Sequence, residues 1–347
     1  MSILTKHSVI YPEYTLTSDD IVHFIESCHP DSKYRSIAIE MIKHTTIQER
    51  QTCIPFDAIL DLKGFESRQN IYEQFARDYS QIVAEQAIIN SGLTAKDITM
   101  VIAVSCTGFM MPSLTAHLIN ALDLNQSTIQ LPVAQMGCVA GAYAMHRAYE
   151  HSQLSKSNNA LIVALETSSL CFDPEANQLQ DFVSDAIFGD GAAGVVMRGD
   201  GFGEGLKIQN SESIFLKDTE NYIQYQMTDK GFQFSLDKKV MYSIEKVAPY
   251  LHHFATTSIG NSTDLDFIIA HTGGRRILDE LQKHLGLSPD KLQHSRESLR
   301  EHGNTSSVSV IDVLHRHYLT SQNGEKGIVV AFGPGFTSEV LYGQWQS

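Results

Sequence analysis

The chain has 347 residues, a formal net charge of −14 and 42% hydrophobic residues. That length allows a large core or two related halves, and the acidic balance excludes a general nucleic-acid binder while permitting a local basic pocket. No apolar run is long enough to span a membrane and no charged-then-apolar leader is seen; five cysteines without CxxC spacing fit free thiols in a reducing cytoplasm.

Ser18 is the predicted N-cap of a helix over 19–28, with acids in its first turn. A second helix is read over 34–44. A long helix over 71–91 carries Tyr72, Phe75, Tyr79, Ile82, Val83 and Ile89 on one face and stops at Gly92. Residues 100–105 form a continuous apolar strand of the kind buried on both faces. A helix over 113–122 follows, then 129–133 as another buried strand. Gly137 permits a sharp turn, and Cys138 opens a helix rich in small residues. A thiol at a helix N-terminus is expected to have a lowered pKa and to be partly thiolate.

Strands are read over 160–165 and 192–197. The glycine-rich GDGFGEG at 199–205 is a connector between an N-terminal half, 1–203, and a C-terminal half, 204–347. A glycine cluster without a following helix is poor evidence for a dinucleotide site. Extended stretches cover 206–216 and 222–234, and a helix 237–253. A buried strand over 267–270 ends at His271, and a helix spans 275–285. Gly303 and Asn304 open a helix reaching Tyr318. A strand over 328–332 and an extended segment over 336–344 close the chain. Strands alternating with helices make the class α/β. The fifteen histidines are scattered without an HExxH pair, so no metal site is expected.

Self-comparison shows a duplication. One buried strand ends Cys106-Thr107-Gly108 and another ends His271-Thr272-Gly273. From Cys106 it is 32 residues to Cys138, and from His271 it is 33 to Asn304; a glycine precedes each. Phe188 and Phe332 each begin the pattern F-G-x-G-x7-G. They lie 50 and 28 residues beyond Cys138 and Asn304, so the first copy carries an insertion near 168–187. Two copies packed about a pseudo-twofold axis bring Cys138, His271 and Asn304 together. Cys138 is then a nucleophile partnered by His271, and Asn304 is a neutral donor to a thioester or enolate oxygen.

QMGCVAGAY, HTGGRRILDEL, GNTSSVSV and AFGPGFTSE resemble type III polyketide synthases, the chalcone-synthase-like family, over essentially the whole chain. The resemblance implies an α/β thiolase-like fold, internally duplicated, with five-layered α-β-α-β-α architecture. It implies a homodimer acting on malonyl-CoA and other acyl-CoA starters without a metal or redox cofactor. Cys138 matches the acyl-carrying cysteine, and His271 and Asn304 the pair that promotes malonyl decarboxylation. Phe188 and Phe234 match gatekeepers between a CoA tunnel and the reaction cavity. Met111 matches a residue that crosses into the partner's cavity, and Gly333, Pro334 and Gly335 a loop on the cavity floor. Cys106 and Cys171 stand where plant members have threonines, and Tyr225 where they have glycine. Thr107, Ser168 and Ser306 join them as expected substrate contacts. Lys43 and Arg50, with Arg275 and Arg276 as alternatives, are the expected contacts to the CoA phosphates.

SCTGFMMPSLTAHLIN and ETSSLC resemble the bacterial phloroglucinol-forming branch of the family. That implies decarboxylative joining of three malonyl units and closure by Claisen cyclisation. Two alternatives share the site: an acyl-primed alkylpyrone or alkylresorcinol synthase, and a ketoacyl synthase III-like initiator. A degradative thiolase needs a second late cysteine, and none follows Cys171. A papain-like hydrolase needs a secreted, disulfide-bearing chain.

Overall fold

The computed structural model describes residues 2–260 and 264–347. Strands β1 (Ser2–Leu4), β2 (Ser8–Ile10) and β3 (Tyr14–Thr17) precede α1 (Ser18–Cys28), α2 (Arg35–Lys43), β4 (Glu49–Thr52), α3 (Phe56–Asp61) and α4 (Gly64–Ser91). Then come β5 (Met100–Val104), α5 (Leu114–Ala121), β6 (Ile129–Val133), α6 (Ala140–Leu154), β7 (Ala160–Thr167), α7 (Leu179–Ile187) and β8 (Asp190–Arg198). The second copy holds β9 (Gly205–Phe215), the hairpin β10 (Ile223–Thr228) and β11 (Gly231–Leu236), α8 (Ser243–Ile259), β12 (Phe267–Ala270) and α9 (Arg275–Leu285). It ends with α10 (Gln293–His302), α11 (Ser309–Tyr318), β13 (Lys326–Gly333) and β14 (Thr337–Gln346).

The strands hydrogen-bond in the order β12-β13-β14-β9-β1-β8-β7-β5-β6, with β2 on β8. In the first copy β5 runs parallel to β7, and β7 antiparallel to β8. The triplet β12, β13, β14 repeats this pattern. Pairing of Ile3 with Lys207 joins the copies through β1 and β9. Strand side chains alternate between faces. On β7, Ala160, Ile162 and Ala164 enter a shared central core, while Leu161, Val163 and Leu165 face a core under α4 and α5. On β13, Val329 and Ala331 face the same centre, while Ile328 and Val330 face α8 and α9. Helices α6 and α11 fill the middle. The result is five layers, α-β-α-β-α.

The two copies touch at equivalent points. Gly137 and Gly303 both have positive φ, 56° and 66°. A Cβ on Gly141, three residues after Cys138, would lie 2.3 Å from the carbonyl oxygen of Ser307, three residues after Asn304. Only glycine permits that approach between the central helices. The insertion falls between β7 and β8 and includes α7, whereas only the turn Pro334–Phe336 separates β13 from β14.

Several expectations change in detail. Thr17, not Ser18, caps α1: its hydroxyl accepts from Asp20 N at 3.2 Å and Asp20 returns a bond to Thr17 N at 2.8 Å. Helix α4 begins at Gly64, and Ile82 and Ile89 are exposed. Tyr72, Phe75 and Val83 are buried as read, and small residues Ala76, Ala84 and Ala87 complete the buried face, because the sheet comes so close that a Cβ on Gly194 would sit 2.5 Å from Val83 O. Strand β6 is largely exposed, since it is the last strand of the sheet. Cys138 and Asn304 do not open α-helices directly; 3₁₀ turns at Gly137–Val139 and Ser306–Val308 intervene. Among the described residues, no helix is long and apolar enough to cross a membrane.

Candidate active site

The Cys138 turn is wedged against the Gly333–Pro334 loop. A Cβ on Gly137 would lie 2.8 Å from Pro334 Cδ, and one on Gly333 would lie 2.7 Å from Met136 O. These glycines allow the two segments to touch, and the contact fixes where the thiol sits.

Asn304 is 3% exposed and His271 is 2% exposed. The Asn304 N–H donates to Ile187 O at 2.7 Å. Its Oδ1 accepts from Ser306 N at 2.9 Å, which leaves Nδ2 as the free donor of the amide. The Asn304 amide and the Ser306 hydroxyl lie beside the Cys138 thiol and favour its charged form. His271 sits at the end of β12, its N–H on Val330 O at 2.9 Å. Its Nδ1 lies 2.6 Å from Ser309 Oγ, which itself donates to Ser306 O at 3.0 Å. The Ser309 proton is therefore in use, so Nδ1 carries the hydrogen and Nε2 is bare. Asn304 and Ser306 thus neighbour the Cys138 thiol, and Ser309 links Ser306 to His271.

The lowered thiol pKa expected from the sequence is not found. Burial pushes the Cys138 thiol up to about 11, and the bonds from Ser306 and Asn304 offset this only in part. Burial likewise pushes the His271 imidazole down to about 3. Burial thus favours the uncharged form of each. A helix N-terminus acts over its first turn, and here α6 begins only at Ala140.

The sequence reading missed Glu166, which is fully buried at the end of β7. It accepts from Cys106 N at 3.1 Å, Thr107 Oγ1 at 2.9 Å and Ser307 Oγ at 2.6 Å, with the Cys106 thiol at 3.5 Å. Burial raises its pKa, and these bonds counteract the shift. The Cys106 thiol is pushed well up, by burial first and by Glu166 second. The available signal was one carboxylate inside the apolar run ALIVALET. Glu166→Ala strands three buried donors and is expected to cost about 3 kcal/mol in urea unfolding. Glu166→Gln keeps an acceptor and should cost less than half as much.

Phe188 and Phe234 meet edge to face, with ring centroids 4.9 Å apart. Tyr225 packs at 5.4 Å from Phe234 and 6.2 Å from Phe232. Burial raises the Tyr225 phenol well above its usual range, and the Cys171 thiol to about 12. Ser168, Cys171, Phe188, Tyr225 and Phe234 line one cavity of about 430 Å³. Ser168 Oγ is buried there without a hydrogen-bond partner among the described residues, so it is available to a ligand. Met111 lies outside this cluster, 83% exposed, in a cis peptide bond with Pro112.

The basic residues separate clearly. Arg50 is 0% exposed and donates from Nη2 to Asp185 O at 3.0 Å. It cannot reach a phosphate at the surface, which corrects its expected CoA role. Lys43 and Arg276 are exposed. Arg275 lines an open hollow of about 520 Å³ with Arg296 and Arg300, its Nη1 on His44 O at 3.3 Å.

The family model for chalcone and stilbene synthases, N-terminal domain, matches residues 32–201, and that for the C-terminal domain matches residues 207–343. The chain belongs to the chalcone and stilbene synthase family. As a type III polyketide synthase it is an acyltransferase that condenses CoA thioesters. It is 47% identical to phloroglucinol synthase of Pseudomonas fluorescens, over 99% of both chains. It is 38% identical to 1,3,6,8-tetrahydroxynaphthalene synthase of Streptomyces coelicolor, covering 100% of this chain and 93% of the relative. The crystal structure of a tetrahydroxynaphthalene synthase from that organism superposes with a TM-score of 0.97 over 99% of both chains. Germicidin synthase of S. coelicolor, 21% identical, shares the fold with a TM-score of 0.94 over 99% of both chains. The synthase therefore has the thiolase-like fold that its sequence implies.

Proposed function

We propose that this synthase joins three malonyl-CoA units into phloroglucinol, 1,3,5-trihydroxybenzene, with Cys138 as acyl carrier. The reading is carried by a buried thiol that meets two neutral donors, Asn304 and Ser306, in the same cluster as a histidine with a bare Nε2. The 47% identity to P. fluorescens phloroglucinol synthase supports the product.

Cys138 attacks the thioester carbonyl of malonyl-CoA while its proton passes to His271 Nε2; the departing CoA thiolate takes that proton away. A second malonyl-CoA loses CO2, and Asn304 Nδ2 holds the enolate oxygen. A neutral donor stabilises this charge without protonating the carbanion. The enolate carbon attacks the Cys138 thioester, forming a carbon–carbon bond as the carbon–sulfur bond breaks. The lengthened chain returns to Cys138 for a second extension. Loss of the starter carboxyl as CO2 and attack of the terminal carbon on the thioester carbonyl close the ring and free the thiol. Enolisation gives the three phenols. Decarboxylation supplies the carbanion, so the chemistry needs no metal or redox group. Phe188 and Phe234 gate the pantetheine arm, Ser168, Cys171, Tyr225 and Ser306 contact the chain, and Gly333–Gly335 form the floor. Cys106 and Thr107, tied to Glu166, remain proposed contacts of the chain. Lys43, Arg275 and Arg276 remain the proposed phosphate contacts. The two copies take 1–203 and 204–347 as their bounds.

Purified protein given malonyl-CoA alone should yield phloroglucinol by mass spectrometry. A naphthalene product or a pyrone would overturn the product while leaving the Cys138 chemistry in place. One observation favours a second reading: the apolar side chains of Leu16, Phe56, Ile59 and Phe172 line part of the 430 Å³ cavity, which suits an acyl-CoA starter and pyrone formation. A panel of fatty acyl-CoA starters separates the two.

A homodimer is part of the proposal. Met111 and Phe109 in the loop after β5, and Ile129 on the edge strand β6, expose large apolar side chains, and such side chains mark interfaces where they gather. Light scattering should give twice the 38.6 kDa chain mass. Met111→Asp should weaken association by roughly tenfold or more; an active monomer would refute the role of Met111.

A further inference from the structure

Arg50 carries an unusual cost for a residue that cannot reach CoA. It is fully buried on β4, and its Nε and Nη1 have no hydrogen-bond partner among the described residues. Unmade bonds on a buried guanidinium are unfavourable. Its surroundings suggest why the residue is kept.

Helix α7 ends at Ile187, and the Phe188 N–H makes the last bond of its ladder, to Ser184 O at 3.2 Å. In a continuing helix Asp185 O would accept from the N–H four residues on, which belongs to Gly189. That N–H turns instead to Asn304 O at 3.2 Å. Arg50 Nη2 takes up the released carbonyl of Asp185 at 3.0 Å. Two residues on, Ile187 O accepts from Asn304 N at 2.7 Å, and Phe188 and Asn304 form an isolated parallel bridge. The stem of Arg50 packs under the same bridge. A Cβ on Gly189 would lie 3.0 Å from Arg50 Cβ, and one on Gly303 would lie 3.6 Å from Arg50 Cβ and Cδ. β4 and the residue before it hold the end of α10: Gln51 Oε1 lies 2.7 Å from His302 Nδ1, and Gln48 N donates to Arg300 O at 2.8 Å. On the far side, Thr272 Oγ1 donates to Gly303 O at 3.1 Å.

We propose that Arg50 is a positioning residue for the reaction: it splints the end of α7 to Gly303–Asn304 and so sets the gate Phe188 and the donor Asn304 in one fixed relation. The guanidinium replaces the helix bond that Gly189 gives up to Asn304. Without it, the end of α7 regains a reason to re-form that bond, and the Asn304 carbonyl loses its partner. The inference rests on the reading that Asn304 acts on the malonyl thioester.

The test compares Arg50→Met, Asn304→Ala and the double variant in the full chain. The readouts are malonyl-CoA decarboxylation, kcat and KM separately, and the rate at which iodoacetamide alkylates Cys138. Arg50→Met should lower kcat for decarboxylation roughly 10- to 100-fold, change KM less than threefold, and leave Cys138 alkylation within about twofold. A general loss of structure would move all three together. Because Arg50 acts through Asn304, the double variant should be no slower than Asn304→Ala. Multiplied losses, or an unimpaired Arg50→Met beside a slow Asn304→Ala, would overturn the role of Arg50 alone. A normal Asn304→Ala would remove Asn304 from the chemistry and this role with it. If Arg50→Met does not fold, Arg50→Lys keeps the stem and charge but loses the fork that spans to Asp185 O. It should give the same pattern at smaller amplitude, and a wild-type kcat there would equally count against the proposal.

Discussion

Cys138→Ala should leave no detectable ring product while malonyl-CoA is still decarboxylated. The two steps use different atoms. Chain growth needs a thiol to hold the acyl group, and Cys138 is the thiol that lies beside the Asn304 amide. Decarboxylation needs only the extender and the donor Asn304. Loss of product formation should therefore exceed roughly 10⁴-fold, while acetyl-CoA, the protonated product of abortive CO2 loss, still accumulates. The substitution removes one sulfur from a turn whose backbone is held by Gly137 and the Pro334 contact. Unfolding stability should change by less than about 1 kcal/mol. Product from this variant would remove Cys138 as the nucleophile.

Asn304→Ala should give the opposite split, with Cys138 still alkylated but decarboxylation lowered roughly 10²- to 10³-fold, the usual cost of one lost oxyanion donor. Asn304 has two jobs that must be separated. Its Oδ1 anchors Ser306 N at 2.9 Å, and Ser306 is held at a φ of 51° that a non-glycine residue rarely adopts. Its Nδ2 is the donor. Asn304→Asp keeps the anchoring oxygen and removes the donor. Both variants should therefore be slow in an assay of acetyl-CoA release. If the Asp variant matched wild type, Asn304 would be a support for Ser306 and nothing more.

Much of the site could be read from spacing alone. The intervals from Cys106 to Cys138 and from His271 to Asn304 differ by one residue, and the geometry of a duplicated unit does the rest. What the sequence hid was the fate of isolated charges. Glu166 sits in an apolar run and Arg50 in a polar one, yet both are buried. Hydrophobic period reports which face is inward and says nothing about which polar partners wait there. The thiol direction was misjudged for a related reason: a helix start is visible in sequence, but the depth of burial around it is a property of distant strands. Exposure of β6 follows from its place at the end of the sheet, which pairing order decides and residue type does not.

The contact between Gly141 and Ser307 has a further consequence. Both central helices begin a few residues beyond the chemistry, so their separation acts as a ruler for the gap between sulfur and amide. A side chain at 141 would force the backbone of Ser307 away from a distance of 2.3 Å, and the two copies would part at their shared axis. The equivalent positions in the two copies carry different residues, cysteine at 138 and asparagine at 304, while the distance between them is governed by a side chain that position 141 lacks.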